Sequence, residues 1–246
     1  MYFMEFIGEL LYNCWWMFLL SAAAAYLLGS INTAVLVTSI VTKGKKDIRD
    51  MGSGNAGFTN VLRSVGKIPA IITIVCDALK CVVAVLLGAL IFSFAIPAFD
   101  SQNSVLSSEL VSIGKYTAGI FCILGHSYPL YFHFKGGKGV VTAAALIASV
   151  DWRVFLCIIG TFLIVFIITK IISAASITAA ILYAPFTFVI TFVFDYLLPA
   201  NGYSFGYVLA SAGAALVISI FVIVKHKENI KRLMRGEEKK ITAKNK

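Results

Sequence analysis

The sequence predicts an all-α polytopic membrane protein, a bundle of seven transmembrane helices with its N-terminus outside and its C-terminus cytoplasmic. Three observations carry that expectation. Hydrophobic residues make up 59% of the 246 residues and charged residues only 13%, whereas soluble domains are roughly half apolar and about a quarter charged. The apolar residues gather into runs, and ~20 helical residues cross a hydrocarbon core of ~30 Å. The basic residues collect between alternate runs, as the positive-inside rule requires. Mean hydropathy is +0.90. Residues 1–224 read as one transmembrane domain with polar loops at 43–67 and 133–139, and residues 225–246 as a basic amphipathic tail.

The first run covers residues 13–42, with Trp15 and Trp16 at the interface where aromatic belts sit. The second covers residues 68–97 and the third 115–134. Runs at 140–150 and 154–169 follow, parted by Asp151, Trp152 and Arg153. The sixth spans 174–198 and the seventh 205–224. The fourth run is short, reaching only ~17 Å at ~1.5 Å per residue. Either Lys138 and Gly139 extend it through locally thinned lipid, or runs four and five form a re-entrant pair and leave five spans. Both counts are odd, so the sidedness is the same. A short link at residues 171–177 keeps the sixth run packed on the fifth.

Sidedness follows from the basic residues. With the N-terminus outside, 18 of the 21 Lys and Arg fall inside, nine of them in the tail. Lys115 and Arg153 fall outside, and Lys80 lies within a helix. The net charge of +9 therefore follows membrane topology and is not a nucleic-acid footprint. Glu5 and Glu9 stand where a cleavable signal peptide would carry a basic segment. The five cysteines lie in or beside apolar runs and form neither a CxxC pair nor a metal-ligand cluster. No metal or cofactor is expected.

In this topology the polar groups collect on the cytoplasmic side. Residues 47–63 read DIRDMGSGNAGFTNVLR. Gly52, Gly54 and Gly57 permit positive φ and close approach of a ligand, and a helix beginning at Asn55 or Ala56 sets Asn55, Thr59 and Arg63 on one face. Backbone N–H groups leading into such a helix suit a phosphate or carboxylate. Residues 134–139, FKGGKG, supply a second anion cradle with Lys135 and Lys138, without the GxxxxGK[ST] pattern of a Walker A loop. Positive-inside anchoring is the plain alternative for both lysines, and it suits Lys135 better because Lys138 sits inside the glycine run. His126 and His133 lie near the end of the third run, where histidines usually serve as hydrogen bonders.

Ser173 and Ser176 are three apart on one helical face, a spacing that also serves simple helix packing. The tail sequence HKENIKRL describes an interfacial helix drawn to anionic lipid. That account leaves His226 and Asn229, three apart on one face, without a purpose. Asp77 and Lys80 are three apart inside the second run. Each charge costs ~2.5–3.5 kcal/mol at a helix centre, so a mutual ion pair is expected.

Taken together, these motifs resemble the bacterial acyl-phosphate:glycerol-3-phosphate acyltransferases, integral membrane enzymes, over nearly the whole chain. The resemblance rests on Gly29-Ser30-Ile31, the stretch 47–63, Asp77 with Lys80, Gly125-His126, Pro129, FKGGKG, Ser173, Ser176 and HKENIKRL, in that order. Asn32 stands where proline is common, Phe58 replaces a frequent alanine, and Cys81 follows Lys80 where glycine is usual. None of these removes a polar group.

The resemblance implies transfer of a fatty acyl group from acyl phosphate to the sn-1 hydroxyl of glycerol 3-phosphate, an early step of phospholipid synthesis. It implies a multi-pass protein of the bacterial plasma membrane with a cytoplasmic active site, membrane lipid around it, and a soluble acyl-phosphate-forming enzyme as a candidate partner. Ser53, Thr59, Asn60, Arg63 and Lys138 are expected as phosphate and transition-state contacts, with Arg49, Gly54 and Asn55 among the binding residues. Lys135, Gly136, Gly137 and Gly139 complete the loop that similar enzymes assign to glycerol 3-phosphate. His226 and Asn229 are expected to orient the hydroxyl or phosphate, with Ser176 nearby. Either His226 or a substrate phosphate oxygen takes the hydroxyl proton.

None of the histidines is followed by Asp five positions on, so the HxxxxD signature of acyl-CoA-using acyltransferases is missing. A transporter for small organophosphates is the competing reading, but neither inverted repeats nor a polar path across the bilayer is evident. A CDP-alcohol phosphotransferase would need a cluster of metal-binding aspartates, which Asp47 and Asp50 alone do not make.

Overall fold

Asn32 divides the first apolar run. In a computed structural model describing residues 3–95, 104–198 and 202–241, that run forms α1 (Phe3–Gly29) and α2 (Thr33–Val41). The Asn32 side chain accepts from the Val35 N–H at 3.2 Å and so starts a new helix, while the Ser30 hydroxyl bonds back to the Tyr26 carbonyl. A polar Gly-Ser-Ile-Asn break thus stands where one unbroken helix over residues 13–42 is expected. Below it come a 3₁₀ turn (Ile48–Asp50), α3 (Phe58–Ser64), α4 (Lys67–Ser93) and α5 (Ser104–Ser127). A second 3₁₀ turn (Leu130–Phe132) leads to α6 (Val140–Val150).

These elements make the first of two compact units, residues 1–150. The helix α4 is inside-out relative to a soluble helix. Ile68, Ile72, Val75, Leu79, Val83 and Leu86 form an exposed stripe at three-to-four spacing, the face a lipid-embedded helix presents. Thr73, Asp77, Lys80, Ala84 and Gly88 lie on the buried side. There α4 and α5 pack through small residues. A Cβ on Gly88 would overlap the Gly114 carbonyl oxygen, and one on Gly114 the Gly88 carbonyl. The third run thus yields a helix that starts earlier than residue 115 and stops at Ser127, because Pro129 has no N–H to continue it. Residues 133–134 lie outside that helix. The end of the second run at residues 96–97 lies outside the described residues.

The second unit is residues 151–246. It contains α7 (Trp152–Thr169), α8 (Ile172–Ile190), continued by a π-helical segment (Thr191–Leu197), α9 (Phe205–Lys225) and α10 (Lys227–Met234). Asp151 caps α7, accepting from the Arg153 and Val154 N–H groups. The Arg153 guanidinium grips Asp151 and also Asp195 of the π segment, at 3.0 and 2.8 Å to the latter. The link between α7 and α8 is only Lys170, in the left-handed region at φ 58°, and Ile171. Residues 172–177, expected in that link, are already helical. The expected spans at 154–169, 174–198 and 205–224 each become helices within a few residues.

Among the described residues, five stretches are long and apolar enough to cross a bilayer: Leu10–Val41, Lys67–Ser93, Trp152–Thr169, Ile172–Leu197 and Phe205–Lys225. The helix Val140–Val150 is apolar but shorter.

Candidate active site

The first glycine loop is held from beneath by one amide. Asn60 is buried on α3; its Nδ2 donates to the Ile48 carbonyl at 3.0 Å and the Met51 carbonyl at 2.8 Å. Its Oδ1 accepts from the Ser53 N–H at 3.0 Å. Gly52 and Gly54 adopt φ 58° and 70°, which a side chain would strain. A Cβ on Gly52 would also overlap Asn60 Oδ1. Ile48, Ala56 and Val61 anchor this loop on a small core shared with Ala34, Val35 and Ala70. Ser53 and Gly54 are left exposed on the turn.

The helix beyond begins at Phe58, because Gly57 is fully extended. Asn55 therefore lies outside it, and the expected face of Asn55, Thr59 and Arg63 reduces to Thr59 and Arg63. Arg63 is exposed and Thr59 half-buried. Arg49 is a strut. Its guanidinium clasps Asp47, with a shortest approach of 2.6 Å, and donates to the Phe132 carbonyl at 2.8 Å. The hydrogen bond from Arg49 holds the Asp47 carboxyl below its ordinary range, against a smaller opposing effect of burial.

That Phe132 carbonyl ends the 3₁₀ turn that leads directly into the second glycine loop, so Arg49 ties the first loop to the base of the second. His133 and Phe134 both take left-handed φ, 55° and 58°, and reverse the chain after Pro129. Gly136 and Gly137 then pass close to His126. A Cβ on Gly136 would overlap the His126 carbonyl oxygen, and one on Gly137 the His126 ring and, at 2.9 Å, the Ala56 carbonyl of the first loop. These glycines are required by close packing. The Gly137 N–H donates to the His126 carbonyl at 3.1 Å, so it is not an open donor as the cradle reading expects. Gly139, at φ 81°, starts α6. Lys138 is half-buried and Lys135 exposed. Asp77 and Lys80 form the expected ion pair at 2.8 Å.

In the second unit, Ser173, Asn229 and Arg232 converge on Glu238. Its Oε1 accepts from the Ser173 hydroxyl and the Asn229 amide, both at 2.8 Å, and its Oε2 from Arg232 Nε at 2.6 Å. Burial pushes this carboxyl up, but the three hydrogen bonds outweigh it and hold Glu238 below its usual range. Gly236, at φ 71°, turns the chain after α10, and the Ile241 N–H bonds to the Lys170 carbonyl. Residues 235–241 thus return to this unit. His226 is buried at the α9–α10 corner, with Nδ1 2.7 Å from the Val222 carbonyl. A carbonyl only accepts, so Nδ1 carries a proton and the neutral ring holds its lone pair on Nε2. The Ser176 hydroxyl bonds to the Ile172 carbonyl at 2.9 Å.

Sequence reasoning passes over Glu238, one acid among many basic residues. The signal is the glycine that ends α10 two positions before it. It also passes over Thr33, whose hydroxyl donates to Asp77.

An all-helical chain of this hydropathy, with polar loops gathered at helix ends, is an integral membrane protein. A profile of the glycerol-3-phosphate acyltransferases matches residues 19–236. The chain is 37% identical over 217 residues to a glycerol-3-phosphate acyltransferase of Prochlorococcus marinus, covering 88% of this chain and 94% of that protein. It is 38% identical over 228 residues to one of Cupriavidus necator, covering 93% and 98%. Its fold is similar to the crystal structure of PlsY (YgiH), an integral membrane glycerol 3-phosphate acyltransferase, in its glycerol 3-phosphate form. The TM-score there is 0.66 at 32% identity, over 92% of this chain and 96% of that one. The lysophosphatidic acid form of that protein matches with a TM-score of 0.64. The chain belongs to the glycerol-3-phosphate acyltransferase family, and it is an acyltransferase.

Proposed function

We propose that this acyltransferase moves a fatty acyl group from acyl phosphate to the sn-1 hydroxyl of glycerol 3-phosphate, releasing phosphate and leaving lysophosphatidic acid. The observation that carries the reading is the junction of the two glycine loops. Arg49 of the first reaches the Phe132 carbonyl at the base of the second, and Gly137 of the second packs on Ala56 of the first. The first glycine loop, with Arg63 on the helix that follows it, and the second, with Lys138, are thereby fixed side by side in the first unit. Two phosphate-bearing substrates call for two cationic anion sites. The structures of the related enzyme with glycerol 3-phosphate and with lysophosphatidic acid support the acceptor and the product.

In the reaction the sn-1 oxygen attacks the acyl carbon, the bond from that carbon to the phosphate oxygen breaks, and phosphate leaves. Phosphate is a good leaving group, so positioning and charge stabilisation supply much of the barrier reduction. Lys138, with Lys135, Gly136, Gly137 and Gly139, binds glycerol 3-phosphate. Ser53, Thr59 and Arg63 contact the donor phosphate, with Gly54 and Asn55 beside them. Asn60 and Arg49 act through the loop shape they hold. His226 and Asn229 orient the acceptor, with Ser176 nearby, and either His226 Nε2 or a phosphate oxygen receives the hydroxyl proton. The N-terminus faces outside, and both loops and the tail face the cytoplasm of a bacterial plasma membrane, with seven spans if α6 crosses. A soluble enzyme that makes acyl phosphate supplies the donor.

The test uses purified protein in lipid vesicles with palmitoyl phosphate, palmitoyl-CoA and labelled glycerol 3-phosphate. Lysophosphatidic acid from palmitoyl phosphate alone is expected, and Lys138→Ala is expected to lower kcat/KM by ~10²-fold. Product from palmitoyl-CoA alone would overturn the donor. Label carried into the vesicles with no product would favour the transporter reading.

A further inference from the structure

Beneath the second glycine loop lies a buried polar cluster that the proposed reaction does not use. The Lys80 ammonium has three donors and meets three acceptors: the Ile31 carbonyl at 2.7 Å, Asp77 Oδ1 at 2.8 Å and His126 Nδ1 at 3.1 Å. The Asp77, Lys80 and His126 side chains are only 3%, 7% and 5% exposed. His126 Nδ1 is 3.1 Å from the ammonium, which only donates, and 3.5 Å from Asp77 Oδ1. The ring therefore accepts at Nδ1 and carries its proton on Nε2, the atom that a Cβ on Gly137 would overlap. The His126 carbonyl in turn accepts from the Gly137 N–H. One residue thus meets the loop with both its ring and its backbone.

Apolar residues of the same volume would pack in this place without the desolvation cost of two charges, so stability alone does not account for the cluster. The cluster touches three things: the polar break at residues 30–33, the helix α4, and the glycine loop.

We propose that Asp77, Lys80 and His126 are positioning residues for the acyl transfer, setting the backbone of Gly136 and Gly137 and through it the place of Lys138. The inference rests on the reading of that loop as the glycerol 3-phosphate site. A loop displaced by about 1 Å costs up to ~10²-fold in such a reaction.

The test measures KM for glycerol 3-phosphate and for palmitoyl phosphate, with kcat, for the full-length protein in lipid. His126→Ala is expected to raise KM for glycerol 3-phosphate about tenfold or more and leave KM for palmitoyl phosphate within about twofold. Because it acts through Lys138, the double variant with Lys138→Ala is expected to be no worse in that KM than Lys138→Ala alone. Gly137→Ala is expected to raise the same KM, and less so in the His126→Ala background, where the ring has gone. Thr33→Val removes one hydrogen bond from Asp77 without unpairing a charge, so it keeps the test within reach of a folded protein. It is expected to raise the same KM about threefold.

Folded His126→Ala and Thr33→Val proteins with unchanged KM for glycerol 3-phosphate, while Lys138→Ala raises it, would overturn the positioning role and leave the loop's assignment standing. Additive effects of His126→Ala and Lys138→Ala would overturn it as well. An unchanged KM in Lys138→Ala would refute the loop's assignment itself, and this inference with it.

Discussion

Glu238 holds together more of the tail than any basic residue around it. It joins α8 through Ser173 and α10 through Asn229 and Arg232. Glu238→Gln is expected to cost ~2 kcal/mol, since hydrogen bonds to a charged group are worth about 1.5–3 kcal/mol each. A lower melting temperature in detergent checks this. The sign of the pH dependence follows from the depressed carboxyl. Its stabilisation is present above the unfolded value of 4.5 and is lost as pH falls through the folded value. The variant and the parent are therefore expected to differ at pH 7 and to converge as the pH falls below 4.5. Residues whose chemistry is local were legible in the sequence, as with the ion pair of Asp77 and Lys80. Asn60, Arg49 and Glu238 were not read as structural because, apart from Asp47 beside Arg49, the partners named for them lie 6 to 83 positions away and only folding brings them together.

At the scale of elements, apolar length locates the helices and polar punctuation decides where they stop. Hydropathy alone does not register that Asn32 caps a new helix inside an apolar run, or that Pro129 ends α5 before the polar loop. The runs at residues 140–150 and 205–224 are legible because glycine, aspartate or basic residues bound them. Small residues set how close the helices come. Gly88→Val would place a branched side chain on the Gly114 backbone. Overpacking of this kind costs ~1–3 kcal/mol or more. A fall in melting temperature of the lipid-embedded protein is expected, while an unchanged value would contradict the close α4–α5 contact.

At the scale of the whole molecule, the basic residues argue for sidedness while the five long apolar stretches among the described residues argue only for membrane insertion. The fold class was legible because a bilayer permits few solutions: backbone polar groups must be satisfied within helices. Sidedness is tested with an N-terminal tag and a C-terminal tag on intact cells. The N-terminal tag is expected to react with an impermeant reagent and the C-terminal tag only after lysis. The reverse pattern would contradict the proposed orientation.

The chemistry itself is tested most directly by following the oxygen. Glycerol 3-phosphate labelled with oxygen-18 at the sn-1 hydroxyl is incubated with palmitoyl phosphate and the lipid-embedded protein, and both products are analysed by mass. Attack of that oxygen on the acyl carbon predicts label in the ester of lysophosphatidic acid, none in the released phosphate, and one phosphate per ester. Label in the phosphate, or an ester formed at the other hydroxyl, would contradict the account.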